Sequence, residues 1–380
     1  MSLKVRKVLI TGANGFIGKN LRHHLAERTD LQLVFFTHDI SPEKLPELLH
    51  GVEFVFHLAG INRPHDPQEY LEGNVKLTQS LCAAIANIKI STGQTIPVLG
   101  CSSTQAKCDT PYGQSKRAGE NLLFTLQRDH AVPVYVFRLP NVFGKWCKPN
   151  YNSVVATFCH NIACDLPIQI NDPTASLTLV YIDDVLERFI QLMEGGDVVV
   201  DDEGFSFVTP VYSTTVGALA VQIRAFKESR TTLLTERVGF GLVRALYSTY
   251  TSYLPVTSFT YPLLQHIDAR GRFVEVLKTP DCGQFSYFTA HPGMTRGGHY
   301  HHSKTEKFLV IKGKARFRFR HSHTGEVNDL VTSSDQPEFV EIAPGWTHDI
   351  TNVGEDEMVV ILWSNELFNP LQPDTIPGSV

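Results

Sequence analysis

Residues 8–18 read Val8-Leu9-Ile10-Thr11-Gly12-Ala13-Asn14-Gly15-Phe16-Ile17-Gly18. The apolar triplet predicts a short buried strand, the glycines at 12, 15 and 18 a tight turn, and the periodic stretch 19–27 a helix. Glycines there let the backbone approach a pyrophosphate, and the helix amino terminus offers unpaired N–H groups and a favourable dipole. Three glycines alone also suit an ordinary turn; the strand-turn-helix setting makes them a dinucleotide fingerprint.

Similar apolar runs recur at Leu33–Phe36, Phe54–Phe56, Pro97–Leu99 and Val134–Phe137, each followed by a helix-compatible stretch. That alternation predicts an α/β Rossmann-type, doubly wound parallel sheet covered on both faces. Helices are expected over residues 184–194 and around Val216–Lys227. From about Tyr247 to Pro262 the pattern breaks into Tyr, Ser, Thr and Pro, which reads as an ordered linker. Beyond Phe273 short alternating runs separated by turn residues predict an all-β jelly roll. The expected domains are 1–246, a linker 247–262, and 263–380.

The chain has 380 residues, 42% hydrophobic and 19% charged, enough for two domains with cores of their own. A formal net charge of -5 gives no broad attraction to nucleic acid or an anionic membrane, so the expected partner is small. Seven cysteines without a C-x-x-C pair argue against a disulfide framework and fit a reducing cytoplasm. Lys4, Arg6 and Lys7 precede only Val8-Leu9-Ile10, too short for a signal peptide, and nothing approaches a membrane span.

The second apolar run ends at Phe36-Thr37-His38-Asp39, where a dinucleotide binder holds the adenosine ribose. His38 there favours a 2′-phosphate, hence NADPH, over a plain loop opening. Tyr112 and Lys116, four apart, share one helical face, where an ammonium can tune a phenol for protonating an alkoxide. Tyr300 and Lys304 repeat the spacing in the carboxy-terminal half, so context has to separate the two pairs. Lys145-Trp-Cys-Lys-Pro-Asn-Tyr-Asn152 carries aromatic and cationic groups suited to a uridine ring and diphosphate, and reads equally as an exposed loop.

These residues, with His57-Leu-Ala-Gly60, Gly73-Asn74-Val75, Ser102-Ser-Thr104, Arg138-Leu-Pro-Asn141-Val-Phe-Gly144 and Tyr181-Ile-Asp-Asp-Val185, resemble the nucleotide-sugar branch of the extended short-chain dehydrogenase/reductase family. The resemblance implies a catalytic trio of Thr104, Tyr112 and Lys116, with Ser103 as the alternative hydroxyl. Gly12, Gly15, Phe16, Ile17, Gly18, Leu58, Ala59, Gly60 and Lys116 would line the cofactor. Asn141 would face nicotinamide and sugar nucleotide.

Near the other end stand Gly293-x5-His299-x-His301-x4-Glu306-x6-Gly313 and Pro344-Gly345-x-x-His348. Three imidazoles and a carboxylate at this spacing suit zinc, or another divalent metal. They match the two motifs of the cupin family, with the proline moved next to Gly345. His302 falls out of phase, and His321-x-His323 reads as surface.

Asp268-Ala-Arg270-Gly-Arg272-Phe-x-Glu275, Thr295-Arg296-Gly-Gly-His299-Tyr300 and Lys307 also resemble the metal-free 4-keto-6-deoxyhexose epimerases. That resemblance implies that His299 is a base and that Arg296 holds diphosphate. A base keeps its lone pair for the proton and a metal ligand gives it away; because His301 and Glu306 add ligands at metal spacing, His299 is assigned to the metal, which leaves the proton acceptor open among the candidates His302, Lys307 and Tyr287. The metal would be structural or a Lewis acid for an enolate.

A 4-ketone both acidifies C3 and can be reduced, which joins the two halves chemically. The whole chain resembles the capsular-polysaccharide enzymes in which such a reductase is fused to a cupin. The implied substrate is a UDP-4-keto-6-deoxy-N-acetyl-hexosamine (UDP-2-acetamido-2,6-dideoxy-4-hexulose). It would be epimerised at C3 and reduced at C4 to UDP-N-acetyl-6-deoxy-L-talosamine, a precursor of N-acetyl-L-fucosamine, by a homodimer. Two rivals are a simple 4-ketoreductase with a non-catalytic cupin and a non-enzymatic NADP-binding regulator.

Overall fold

The computed structural model describes residues 5–64, 66, 68–371 and 373–380; Lys4 of the basic stretch lies outside them. The chain divides into two compact units, Met1–Val221 with Ser248–Tyr253, and Gln222–Tyr247 with Leu254–Val380.

In the first unit the five apolar runs lie in β1 (Arg6–Thr11), β2 (Leu31–Phe36), β3 (Val52–His57), β4 (Val98–Ser103) and β5 (Val134–Leu139). They pair in parallel in the order β2-β1-β3-β4-β5. Leu9, Val55, Val98 and Val136 pack on one face against Leu81, Ile85, Leu123 and Leu126 of the helices Leu77–Thr92 and Pro111–His130. On the other face Phe56 and Phe137 lie 6.3 and 4.9 Å from the Phe189 ring of the helix Ile182–Met193. Burial on both sides explains why these strands read as unbroken apolar runs. The strand order reverses between β1 and β3, and the carboxyl ends of these two strands open the crevice where such sheets hold ligands.

A small sheet follows, with β6 (Asn141–Phe143) parallel to β7 (Ser176–Tyr181) and β8 (Tyr212–Thr215) antiparallel to β7. The helices expected at 184–194 and Val216–Lys227 run Ile182–Met193 and Val216–Thr232. Part of the stretch read as a linker is helical, since Gly241–Thr251 continues through Tyr247–Thr251. Ala245, Leu246 and Tyr250 are buried, and packing overrides the weak helix propensity of the Ser, Thr and Tyr residues around them.

The second unit holds β9 (Gln265–Asp268), β10 (Gly271–Thr279), β11 (Gly283–Ala290), β12 (Thr295–Tyr300), β13 (Glu306–Lys312), β14 (Lys314–His321), β15 (Val327–Ser333), β16 (Phe339–Ile342), β17 (Trp346–Asn352), β18 (Met358–Ser364) and β19 (Ile376–Pro377). They form two antiparallel sheets, β16-β13-β18-β11-β10-β9 and β15-β14-β17-β12-β19. Phe288, Phe308, Val310 and Val360 of one sheet meet Ala315, Phe317 and Ile350 of the other in a shared core. This is the expected all-β jelly roll. Phe317 is fully buried, with its ring 5.8 Å from that of Phe308. Phe317→Ala should cost about 3–5 kcal/mol, read as a lowered midpoint in an equilibrium urea titration against the unmodified chain.

Candidate functional sites

Gly12 follows β1 at φ +69°, and a Cβ there would stand 2.6 Å from the Ala59 backbone nitrogen. A Cβ on Gly18 would stand 2.2 Å from the Gly12 carbonyl oxygen. Only glycine lets the β1 turn, the helix Phe16–Ala26 and the loop after β3 meet at this distance. Gly15 occupies the helix N-cap without a side-chain cap, and the first turn carries no acid, which leaves its N–H groups and dipole for an anion.

A hydrogen-bond chain runs beneath the loops. Thr78 donates to the Asn74 carbonyl at 2.7 Å, so it must accept from His57 Nε2 at 2.8 Å. The His57 Nδ1 lone pair then accepts from Thr11 Oγ1 at 2.9 Å, and Thr11 accepts from the Ala59 N–H at 3.2 Å. Burial, reinforced by Lys116, pushes His57 down to about 4, so the ring is neutral and its one proton sets this order.

The Asn74 amide bonds both backbone groups of Ile61 and also Ser115 of the helix Pro111–His130. It thereby ties the loop after β3 to the helix that carries Tyr112 and Lys116. A Cβ on Gly60 would stand 2.8 Å from Lys116 Nζ, which places the Leu58-Ala59-Gly60 loop against the lysine.

Tyr112 and Lys116 share one face as expected, with Nζ 5.8 Å from the phenol ring centroid. Burial pushes the Tyr112 phenol above its ordinary value, and the Ser103 hydroxyl beside it offsets part of the rise. Burial pushes the Lys116 ammonium below its ordinary value, opposed by Cys101 and Glu120. The net upward shift of Tyr112 is opposite to the direction expected from a neighbouring lysine, because desolvation outweighs the Ser103 hydrogen bond that lowers it. Ser103 rather than Thr104 faces the phenol: Ser103 closes β4, whereas Thr104 starts a 3-10 turn with its side chain exposed.

His38 is exposed at the rim beyond β2. Asn141 opens β6 and donates to the Thr178 carbonyl at 3.2 Å. Lys145 is ion-paired with Asp183 at 2.7 Å, so its charge is already matched within the chain. Two other cations flank Tyr151. Lys148 and Arg63 lie 4.9 and 5.9 Å from the Tyr151 ring centroid, and the Tyr151 hydroxyl donates to Asn62 Oδ1. Tyr70 donates to the Asn62 carbonyl and stands 5.7 Å from Tyr112. Arg63, Asn62 and Tyr70 carry no local motif in the sequence; only the fold gathers them.

In the second unit His299, His301, Glu306 and His348 converge, with candidate ligand atoms all within 4.8 Å of one another. The antiparallel register of β12 and β17 sets His299 opposite His348. His301 follows β12, and Glu306 opens β13. The Nδ1–H of His301 donates to the Asp374 carbonyl and that of His348 to the Trp346 carbonyl, which turns both Nε2 lone pairs toward Glu306, at 3.1 and 3.4 Å. His301 Nε2 and Glu306 Oε2 are buried without a hydrogen-bond partner.

Burial, then the neighbouring His348, pushes His299 down to about 4. Three imidazoles gathered at a buried carboxylate, two of them with Nε2 within 3.4 Å of it, are a donor set that fits a divalent cation.

The three suggested proton acceptors do not join this cluster. Lys307 alternates with Glu306 along β13, so it points to the opposite face, where it pairs with Glu341 at 3.3 Å. Tyr287 alternates with the core-facing Phe288, and the His302 side chain is exposed. Arg296 is half-buried, donating to the Thr289 carbonyl at 2.9 Å and standing 3.5 Å from Asp268.

Residues 8–206 match the NAD dependent epimerase/dehydratase family and residues 266–376 the polysaccharide biosynthesis C-terminal domain. The chain is 58% identical over 374 residues to a UDP-2-acetamido-2,6-beta-L-arabino-hexul-4-ose reductase of Pseudomonas aeruginosa, covering 98% of this chain and 99% of that one. The crystal structure of the capsular polysaccharide assembling protein CapF from Staphylococcus aureus superposes with a TM-score of 0.88 at 43% identity, covering 98% of this chain and 100% of the other. The chain belongs to the NAD-dependent epimerase/dehydratase family and is CapF-like over its length. A dTDP-4-dehydro-6-deoxyglucose reductase of Escherichia coli is 27% identical over 240 residues, covering 51% of this chain and 74% of that one.

Family membership and the Gly12 geometry yield one expectation together. Gly12→Ala should cost roughly 1–3 kcal/mol in strain and weaken binding of a nicotinamide dinucleotide, measured by thermal midpoint and titration calorimetry.

Proposed function

We propose that the chain is a reductase of a UDP-linked 4-keto-sugar, and that its all-β unit epimerises C3 of the same sugar before C4 is reduced. The observation that carries the reductase reading is the half-buried Tyr112, Lys116 and Ser103 group beside the Gly12 turn, in a chain that matches a hexul-4-ose reductase end to end. The name of the Pseudomonas aeruginosa relative, a UDP-2-acetamido-2,6-beta-L-arabino-hexul-4-ose reductase, supports a UDP-2-acetamido-2,6-dideoxy-4-hexulose as substrate, and the proposed product is UDP-N-acetyl-6-deoxy-L-talosamine.

A nicotinamide dinucleotide, when bound, supplies the hydride for C4; the exposed His38 favours NADPH by offering an imidazole N–H to a 2′-phosphate. Tyr112 gives its proton to O4 as negative charge develops there. A raised phenol pKa suits that role, because the group holds its proton until an alkoxide forms. The Lys116 ammonium stabilises the phenolate left behind, and the Ser103 hydroxyl, the alternative to Thr104 in the family resemblance, takes the carbonyl-orienting role. Arg63 and Lys148, gathered around Tyr151, supply the positive charge for the diphosphate.

His299, His301, Glu306 and His348 would hold a divalent metal such as zinc, which supplies Lewis-acid polarisation of a carbonyl oxygen. The ketone at C4 acidifies the C3 hydrogen, so loss and return of that proton on opposite faces inverts C3 before reduction removes the ketone. Arg296 stands on β12, beside this cluster, as the cation for the anionic end of the substrate.

Two measurements test this reading. Tyr112→Phe enzyme incubated with the 4-keto sugar in D2O should place deuterium at C3 while reduction at C4 falls by about 10²–10⁴-fold; an unlabelled sugar would sink the two-activity reading. Ser103→Ala should lower kcat for NADPH oxidation by roughly 10²-fold, with Ser103→Thr retaining activity and Thr104→Ala close to the unmodified chain.

A further inference from the structure

The carboxy-terminal segment from Asp374 onward returns to the strand that carries the histidines. The Asp374 carboxylate accepts four hydrogen bonds, from the backbone N–H groups of His302, Ser303 and Lys304 at 2.8, 2.8 and 2.9 Å and from the Ser303 hydroxyl at 3.0 Å. The carbonyl of the same residue accepts from His301 Nδ1. Lys304, buried, donates to the Thr375 hydroxyl at 3.2 Å. Ile376 and Pro377 then pair as β19 with Tyr300 and His299, and the Gly378 N–H donates to the Gly298 carbonyl at 2.9 Å.

One residue therefore touches a candidate metal ligand and also organises the whole turn from that ligand to the next. Three consecutive N–H groups aimed at one anion form a cradle that would lose its centre without the carboxylate. The carbonyl has a separate effect. A carbonyl only accepts, so its contact keeps the His301 proton on Nδ1 and the lone pair on Nε2, the atom that faces Glu306. The carbonyl belongs to the backbone, so the carboxylate acts on His301 indirectly, by holding the segment where that carbonyl meets Nδ1.

We propose that Asp374 is a positioning residue of the metal centre: the carboxy-terminal segment fixes the His301 tautomer and the His301–Glu306 spacing, and so sets the affinity of the site for zinc. This rests on the metal reading of the four-residue cluster, and the experiment separates the two.

The full chain, stripped of metal, is titrated with Zn2+ alone in competition with a chromophoric chelator, beside Asp374→Asn and Asp374→Ala. The apo proteins are compared by thermal midpoint and by the 15N shifts that report the His301 tautomer. Asp374→Ala should weaken zinc binding by roughly 10–100-fold, the usual consequence of losing an outer-shell partner. Asp374→Asn, which keeps one accepting oxygen, should fall between. His301 should be the Nδ1–H tautomer in the intact apo chain and a mixture in Asp374→Ala.

Unchanged zinc affinity in both variants would overturn the positioning role while leaving the metal site standing. So would a loss of apo stability with the tautomer unaltered, which would make Asp374 a simple anchor. An intact chain that binds no zinc would overturn the metal reading itself.

Discussion

Residue 12 has no room for a side chain, and the reductase unit is organised around that exclusion. With a Cβ at 2.6 Å from the Ala59 nitrogen, the turn after β1 and the loop after β3 approach only because Gly12 is bare and left-handed. The approach brings Ala59 within hydrogen-bond reach of Thr11, and from there the chain through His57 and Thr78 reaches Asn74. Asn74 binds Ser115, which lies between Tyr112 and Lys116 on the same helix. A backbone contact suited to a pyrophosphate is thus mechanically continuous with the groups suited to proton transfer.

Burial sets the electrostatics of both candidate centres, with different results. In the first it keeps Tyr112 protonated and His57 neutral, leaving a proton donor above a rigid uncharged support. In the second it keeps His299 neutral, while carbonyl contacts at Nδ1 orient His301 and His348 so that lone pairs converge on Glu306. Desolvation favours whichever form carries no charge, so one force yields an acid in one unit and electron-pair donors in the other.

Much of the fold was legible because strands buried on both faces leave unbroken apolar runs, and all five such runs became β1–β5. The helix Gly241–Thr251 was hidden, since Tyr250 and Leu246 earn their place by tertiary burial that Ser- and Thr-rich composition does not advertise. The four histidine and glutamate positions could be read from spacing, which the β12 and β17 register then brought together. The proton acceptors could not be read that way: Lys307 is next to Glu306 in sequence, yet strand alternation turns it to the other face.

The sequence by itself marked the two candidate sites, because glycine spacing, a Tyr-x-x-x-Lys pair and metal-ligand spacing are local patterns tied to backbone period. Tertiary structure decided which neighbours those groups have. Ser103 rather than Thr104 faces Tyr112 because β4 ends between them, and Asp183 takes the Lys145 charge across 38 residues. Asp374 reaches His301 across 73. Such contacts follow from chain crossings and strand register, and no local stretch of residues encodes them.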